Sequence, residues 1–270
     1  MPYNGFDISG KVCLIAGGTS GLGKAIALGF ASAGASVVAG SSSASKVDAI
    51  RKELGNGHDA VQLDVADEGS VAAAVDHTVK RYGRLDAVVN AAGVIQRKPS
   101  LDVEISEFER IVRINLTGSF IVARSAARVM KNQKPDSRGQ RGSIVFIASL
   151  NSFISLSEVL AYASSKSGVL GLVRGLANEW APIGIRVNAI APGLFPTDLN
   201  RPLIENTPRG DWMKEHTPQG RFGDAEELVG AAIYLISPSA SFTAGHTLIV
   251  DGGFLTRGVG TPGPVATMPK

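Results

Sequence analysis

The sequence predicts a doubly wound α/β domain: a seven-stranded parallel sheet with helices on both faces. Three observations predict it. Short β-branched runs alternate with longer amphipathic ones along the chain. Several short runs are apolar throughout, as in Ile144-Val145-Phe146-Ile147, the pattern of a strand covered by helices on both sides. Glycine is in surplus, 32 of 270 residues, roughly 12% where about 7% is usual. Three of these glycines fall within seven residues, where the first short run gives way to the first long one.

Taken in order, the first strand, 12–16, is apolar to its last residue and stops at Gly17-Gly18. The second, 36–39, runs into Gly40 and a serine triplet. The third, 60–63, leads to Asp64, and the fourth, 87–90, ends in Asn90-Ala91-Ala92-Gly93. The fifth, 143–148, delivers Ser149 at its carboxyl end. The sixth, 185–190, precedes Pro192-Gly193, and the seventh is 247–250. Helices are expected at 22–33, 46–54, 68–82, 105–130, 160–180 and 225–236. The proline-punctuated segment 194–223 breaks the rhythm.

Charge and cysteine content exclude several classes. Lys+Arg 27 against Asp+Glu 24 leaves +3, with no block of five or six like charges, so no nucleic-acid footprint is expected. The locally basic segment 131–142 reads as an exposed loop. The longest uncharged run, 228–250, is broken by Ser237, Pro238, Ser239 and Gly245, so no membrane span is expected. A lone Cys13 in an apolar run and no export signal point to a cytoplasmic protein. His58, His77, His216 and His246 lack ligand spacing, so no metal is expected.

In sheets of this kind, ligands bind beyond the carboxyl ends of the strands. After the first strand stands Gly17-Gly18-Thr19-Ser20-Gly21-Leu22-Gly23, opening a helix. Glycines there allow the backbone to approach a pyrophosphate, and the helix N-terminus offers free N–H groups. No carboxylate follows the second strand until Asp48, so nothing repels a 2′-phosphate, and Ser41, Ser42 and nearby Lys46 suit one. This tilts the cofactor towards NADP, with NAD the alternative. Asp64 is placed to accept from an adenine amino group, and the small residues after Asn90 leave room for the dinucleotide.

Tyr162 and Lys166 are four apart in a helical stretch and share a face. An ammonium beside a phenol stabilises phenolate, so Tyr162 is expected to have a lowered pKa suited to proton transfer. Ser149 stands 13 residues upstream, at a strand end, where its hydroxyl would hold a substrate oxygen near that phenol. A serine at that distance before Y-x-x-x-K arises by chance only roughly 0.01–0.02 times in such a chain.

Over about residues 8–254 the chain resembles the short-chain dehydrogenase/reductases, in Gly17-x-x-x-Gly21-x-Gly23, Asp64, Asn90-Ala91-Ala92-Gly93, Asn115, Ser149, Tyr162-x-x-x-Lys166 and Pro192-Gly193. The resemblance implies a single Rossmann-type catalytic domain over 1–257, with a substrate lid near 194–223 and a flexible tail over 258–270. It implies Tyr162 as general acid/base, Ser149 orienting the carbonyl, and Lys166 binding the nicotinamide ribose and lowering the tyrosine pKa. Asn115 would help to hold a proton-relaying water. Pro192, Gly193 and Thr197 would flank the carboxamide. Thr19, Ser20, Leu22, Val65 and Ala91 complete the expected cofactor contacts. Ala16 stands where many members have Thr. Ser20 stands where many NADP-preferring members have Arg, which pulls against NADP.

Within the family the chain is most similar to gluconate 5-dehydrogenases and related sugar-acid or polyol oxidoreductases, through 93–98 and 217–223. The expected reaction moves hydride between the nicotinamide and a secondary alcohol or ketone. Reduction of 3-oxoacyl groups on a carrier protein, and an idle nucleotide-binding regulator, are the alternatives. Arg97 would pair with a substrate carboxylate, or else sit in a structural ion pair. Arg221 reads as a structural anchor. Asn151 and Phe153 would line the pocket, with Phe195, Trp212 and His216 contacting substrate from the lid. Small residues along 160–180, among them Gly168, Gly171 and Gly175, suit a helix pressed across a subunit interface, and the resemblance implies a homotetramer.

Overall fold

The computed structural model describes residues 3–198 and 200–257. The tail expected over 258–270 lies outside them. The chain forms β1 (Val12–Ala16), α1 (Gly21–Ser32), β2 (Ser36–Ser41), α2 (Ala44–Leu54), β3 (Asp59–Gln62), α3 (Glu68–Tyr82) and β4 (Ala87–Asn90). A long helical region follows, α4 (Ile105–Val112) and α5 (Gly118–Met130), then β5 (Gly142–Ile147), α6 (Leu160–Trp180) and β6 (Ile185–Pro192). The last elements are α7 (Arg201–Ile204), α8 (Pro208–Glu215), α9 (Val229–Ile236) and β7 (Thr247–Val250). The strands join in the order β3-β2-β1-β4-β5-β6-β7, and every pair is parallel. Strand order reverses between β1 and β4, which opens a crevice above their carboxyl ends.

Successive side chains of a strand point to opposite faces, and the two cores divide accordingly. Leu14 and Ala16 of β1 join Val88, Ile144 and Val187 in the cluster covered by α3, α5 and α6. Cys13 and Ile15 join Val37, Val89 and Ile190 in the cluster covered by α1, α2 and α9. All five residues of β1 are buried, as a strand between two helical layers must be. Cys13 is fully buried, and its thiol is pushed far above its ordinary pKa by desolvation. It packs as a small apolar residue.

Two expectations need correction. The helix expected over 105–130 is not one regular helix: Arg113–Thr117 form a π turn between α4 and α5. Such a turn inserts an extra residue into the helical ladder and is common at functional sites. The segment 194–223, expected to be irregular, contains α7 and α8. Thr207 caps α8 by accepting from the Gly210 N–H at 3.0 Å, and Pro208 opens it.

Candidate active site

The turn after β1 builds a cradle for an anion. Gly17 has φ +76°, and a Cβ there would lie 2.6 Å from the Ala92 nitrogen. A Cβ on Gly23 would collide with the Gly17 carbonyl. Side chains are therefore excluded from the loop on both sides. The N-cap Ser20 makes no side-chain capping bond, and no acidic residue stands in the first turn of α1. The first N–H groups of that helix are left facing the crevice, ready for a phosphate.

The crevice is a cavity of about 510 Å³. Gly17, Ser20, Gly21, Leu22 and Gly23 line one part, with Ser42 and Lys46 beside β2. Ala91 and Gly93 line the middle. Ser149, Tyr162 and Lys166 form the far wall, and Pro192, Gly193 and Thr197 close it from the β6 side. The cavity is therefore an elongated groove with glycines at one end and titratable groups at the other. Its dimensions and open helix terminus suit a dinucleotide.

Other candidates do not line this cavity. Ser41 Oγ accepts from Ser43 N at 3.2 Å, and Asp64 Oδ1 accepts from Ala66 N at 2.9 Å. Asn90 donates to Ser119 Oγ at 2.9 Å and shapes the β4 loop by accepting from Ala92 N. Val65 is buried against Gly118, and Thr19 lies outside the wall. Asn151 Oδ1 accepts from Leu156 N at 3.0 Å, and the Asn151 N–H donates to Ser149 Oγ at 3.1 Å. Asn151 thus steadies the loop behind Ser149. Phe153 and Trp212 are largely exposed, Trp212 stacking on His216 with ring centroids 3.9 Å apart. Phe195 is buried and does line the cavity. Arg221 makes a two-pronged ion pair with Glu227, both contacts 2.7 Å, as expected of an anchor.

Asn115 sits in the π turn and is fully buried. Its Oδ1 accepts from Val94 N at 2.9 Å, and its Nδ2 donates to Val94 O at 2.9 Å and Ser165 Oγ at 3.0 Å. This side chain clasps the β4 loop to α6 directly above the far wall. Gly93 fits under the clasp, since a Cβ there would lie 3.3 Å from Asn115 Oδ1 and 3.6 Å from Lys166 Nζ. Sequence reasoning missed Val94, Ile147, Asp198 and Asn200, all on the cavity wall. Ile147 at the end of β5 and Val94 four residues past β4 offered a strand-end signal, whereas Asp198 and Asn200 lie six and eight residues past β6 and offered none.

The expected lowering of the tyrosine pKa is reversed. Burial pushes the Tyr162 phenol up, against a smaller downward pull from the Ser149 hydroxyl. Lys166 Nζ donates to the Ile147 carbonyl at 2.7 Å and stands 5.7 Å from the Tyr162 ring centroid, and among the described residues no hydrogen bond joins it to the phenol. Burial also lowers Lys166 to about 8. Desolvation disfavours the charged form of both groups. A phenol that holds its proton, a nearby hydroxyl and an ammonium poised near neutrality make a proton-donating wall.

A parallel doubly wound sheet, a phosphate cradle at its switch point and this wall define a dinucleotide-dependent oxidoreductase. A family model described as enoyl-(acyl carrier protein) reductase matches residues 16–255. A 2-dehydro-3-deoxy-D-gluconate 5-dehydrogenase of Formosa agariphila is 38% identical over 97% of this chain and 98% of its own length. A D-threitol dehydrogenase of Mycolicibacterium smegmatis is 36% identical over 93% of this chain and 95% of its own. The crystal structure of a gluconate 5-dehydrogenase from Burkholderia cenocepacia, in complex with NADP and tartrate, superposes with a TM-score of 0.87. It is 37% identical and covers 94% of this chain and 98% of its own. The chain belongs to the short-chain dehydrogenase/reductase family, and it is an enzyme acting on hydroxyl or keto groups. Among the described residues no helix is long and apolar enough to cross a membrane.

Proposed function

We propose that this enzyme interconverts a secondary alcohol and a ketone on a sugar acid or polyol, using NADP in preference to NAD. The observation that carries the reaction is the shared wall of Ser149, Tyr162 and Lys166 at one end of a groove whose other end is a phosphate cradle. Gly17, Gly21, Gly23 and the α1 N-terminus would hold the pyrophosphate, and Ser42 and Lys46 a 2′-phosphate. A nicotinamide bound there would supply the hydride exchanged between ketone and alcohol. Ser149 donates a hydrogen bond to the reacting oxygen and orients it. Tyr162 gives its phenolic proton to that oxygen as it gains charge, and recovers it in the reverse direction. Lys166 keeps a positive charge near the phenol and holds the ribose. Asn115, through Val94, fixes the loop that roofs the site.

The substrate class is supported by the relatives, which carry gluconate-derivative and threitol dehydrogenase names. The segment 194–223 acts as a lid, its helices α7 and α8 borne on a chain whose Thr197, Asp198 and Asn200 line the groove. We place the enzyme in the cytoplasm, where reduced nicotinamide nucleotides are supplied, and assign it a homotetrameric assembly. Gly171 and Gly175 of α6 face open space, which leaves that helix flat for a second copy.

Replacing Tyr162 by Phe tests the chemistry. Turnover on the best sugar acid or polyol should fall about 10²–10⁴-fold, while NADPH binding measured by fluorescence is kept. Undiminished turnover would remove Tyr162 from the mechanism.

A further inference from the structure

On the substrate side of the groove, three charged residues from three separate segments stand together, two of them against their local preference. Arg97 follows Val94 of the groove wall by three residues, and its Nε donates to Glu158 Oε2. Glu158 precedes Tyr162 by four residues and adopts φ +69°, a left-handed conformation that is strained for a glutamate. Its carbonyl accepts from Lys98 N at 2.8 Å, so the strained residue is pinned to the Arg97 loop through both backbone and side chain. The strain is held in place to present a carboxylate to an arginine.

Arg209 is the third member. It stands in the first turn of α8, where the helix dipole favours acids and disfavours cations. It is half-buried, and among the described residues its guanidinium has no hydrogen-bond or ion-pair partner. The charges it faces are Arg97 and Glu158, and its own burial lowers its pKa. Its backbone position is fixed: Thr207 caps the turn, and a Cβ on the adjacent Gly210 would collide with the Ile204 carbonyl. A desolvated cation that is rigidly held, misplaced for its helix and short of an acceptor needs an anion. The one carboxylate is engaged by Arg97, leaving the cluster one negative charge short.

We propose that Arg209 is a specificity-determining residue, which together with Arg97 receives the substrate's carboxylate as the lid closes. Glu158 offsets only part of the positive charge of the two arginines until an acidic substrate supplies the rest. This rests on the sugar-acid reading above, and it adds the lid arginine that would distinguish acids from neutral polyols.

The test uses the full-length enzyme with NADP. Oxidation of gluconate and of a neutral six-carbon polyol is measured for wild type, Arg209→Gln, Arg209→Lys and Glu158→Gln. In Arg209→Gln, the acid-to-polyol ratio of kcat/KM should fall about tenfold or more, carried by KM for the acid. Arg209→Lys should recover part of it, and Glu158→Gln should move the ratio the other way or lower KM for the acid. Equal losses on acid and polyol would mean that Arg209 only packs the lid, and would overturn the proposal. If wild type turns over polyols alone, the sugar-acid reading fails by itself. Gluconate is then assayed as an inhibitor of polyol oxidation. A Ki weakened about tenfold in Arg209→Gln supports the arginine pair, and an unchanged Ki overturns it.

Discussion

Lys166 carries its proton at a cost, because it is buried and, among the described residues, only the Ile147 carbonyl accepts from it. Its pKa of about 8 lies below the ordinary 10.5 of an unfolded chain. Between those values the unfolded chain binds more protons than the folded one, so folding stability rises with pH across that window. Thermal denaturation of the cofactor-free enzyme should show this gain from pH 8 upward, and Lys166→Met should remove it. Lys46 makes a second prediction at this scale. Lys46→Ala should raise KM for NADPH about tenfold and leave KM for NADH nearly unchanged, because only the former carries a 2′-phosphate for the ammonium to pair with. An equal change in both constants would show that Lys46 does not select the cofactor. The motif residues were legible singly: Ser149, Tyr162 and Lys166 stand where their spacing put them. The direction of the Tyr162 shift was not, because it depends on how deeply the folded chain buries the phenol.

At the scale of elements, the strands were legible from their unbroken apolar runs and the cradle from three glycines at a strand end. The π turn was not, because the apolar pattern of 105–130 continues through it. Its consequence is the Asn115 clasp on Val94 and Ser165. Asn115→Ala removes three buried hydrogen bonds and strands the Val94 peptide, so stability should fall by about 2–4 kcal/mol. Urea denaturation reads that loss, and kcat should fall with it because the roof over Lys166 loosens. Arg97 teaches a similar lesson. Its loop was identifiable, whereas Glu158 as its partner lies 61 positions away, and only the folded chain joins them.

For the whole molecule, the order β3-β2-β1-β4-β5-β6-β7 places the cradle and the proton-donating wall at the same end of one sheet. Chain pieces as distant as Gly17 and Thr197 then meet across a single groove. The open face of α6 bears on assembly. A Cβ on Gly175 would meet nothing within 4 Å among the described residues, so the fold should survive Gly175→Leu. Sedimentation should nevertheless show loss of the proposed tetramer. A tetramer that persists unchanged would put the interface elsewhere. Acid should weaken the molecule through two carboxylates outside the groove. Glu107, held by Lys98, and Glu227, held by Arg221, both titrate at about 2. Stability from these pairs is present above pH 4.5 and is lost as pH falls towards 2.

The π turn also sets the phase of everything that follows it. An α-helix advances about 100° per residue, so the extra residue held between Arg113 and Thr117 turns the whole of α5 relative to α4. Deleting one residue there would restore a regular ladder and improve local hydrogen bonding. It would also swing Ile121, Val122 and Met130, now buried against the sheet, round towards water. A substitution in this turn weakens one clasp, whereas a deletion turns the buried face of a helix away from its core by about 100°. Length, more than residue identity, is what this stretch of chain cannot change.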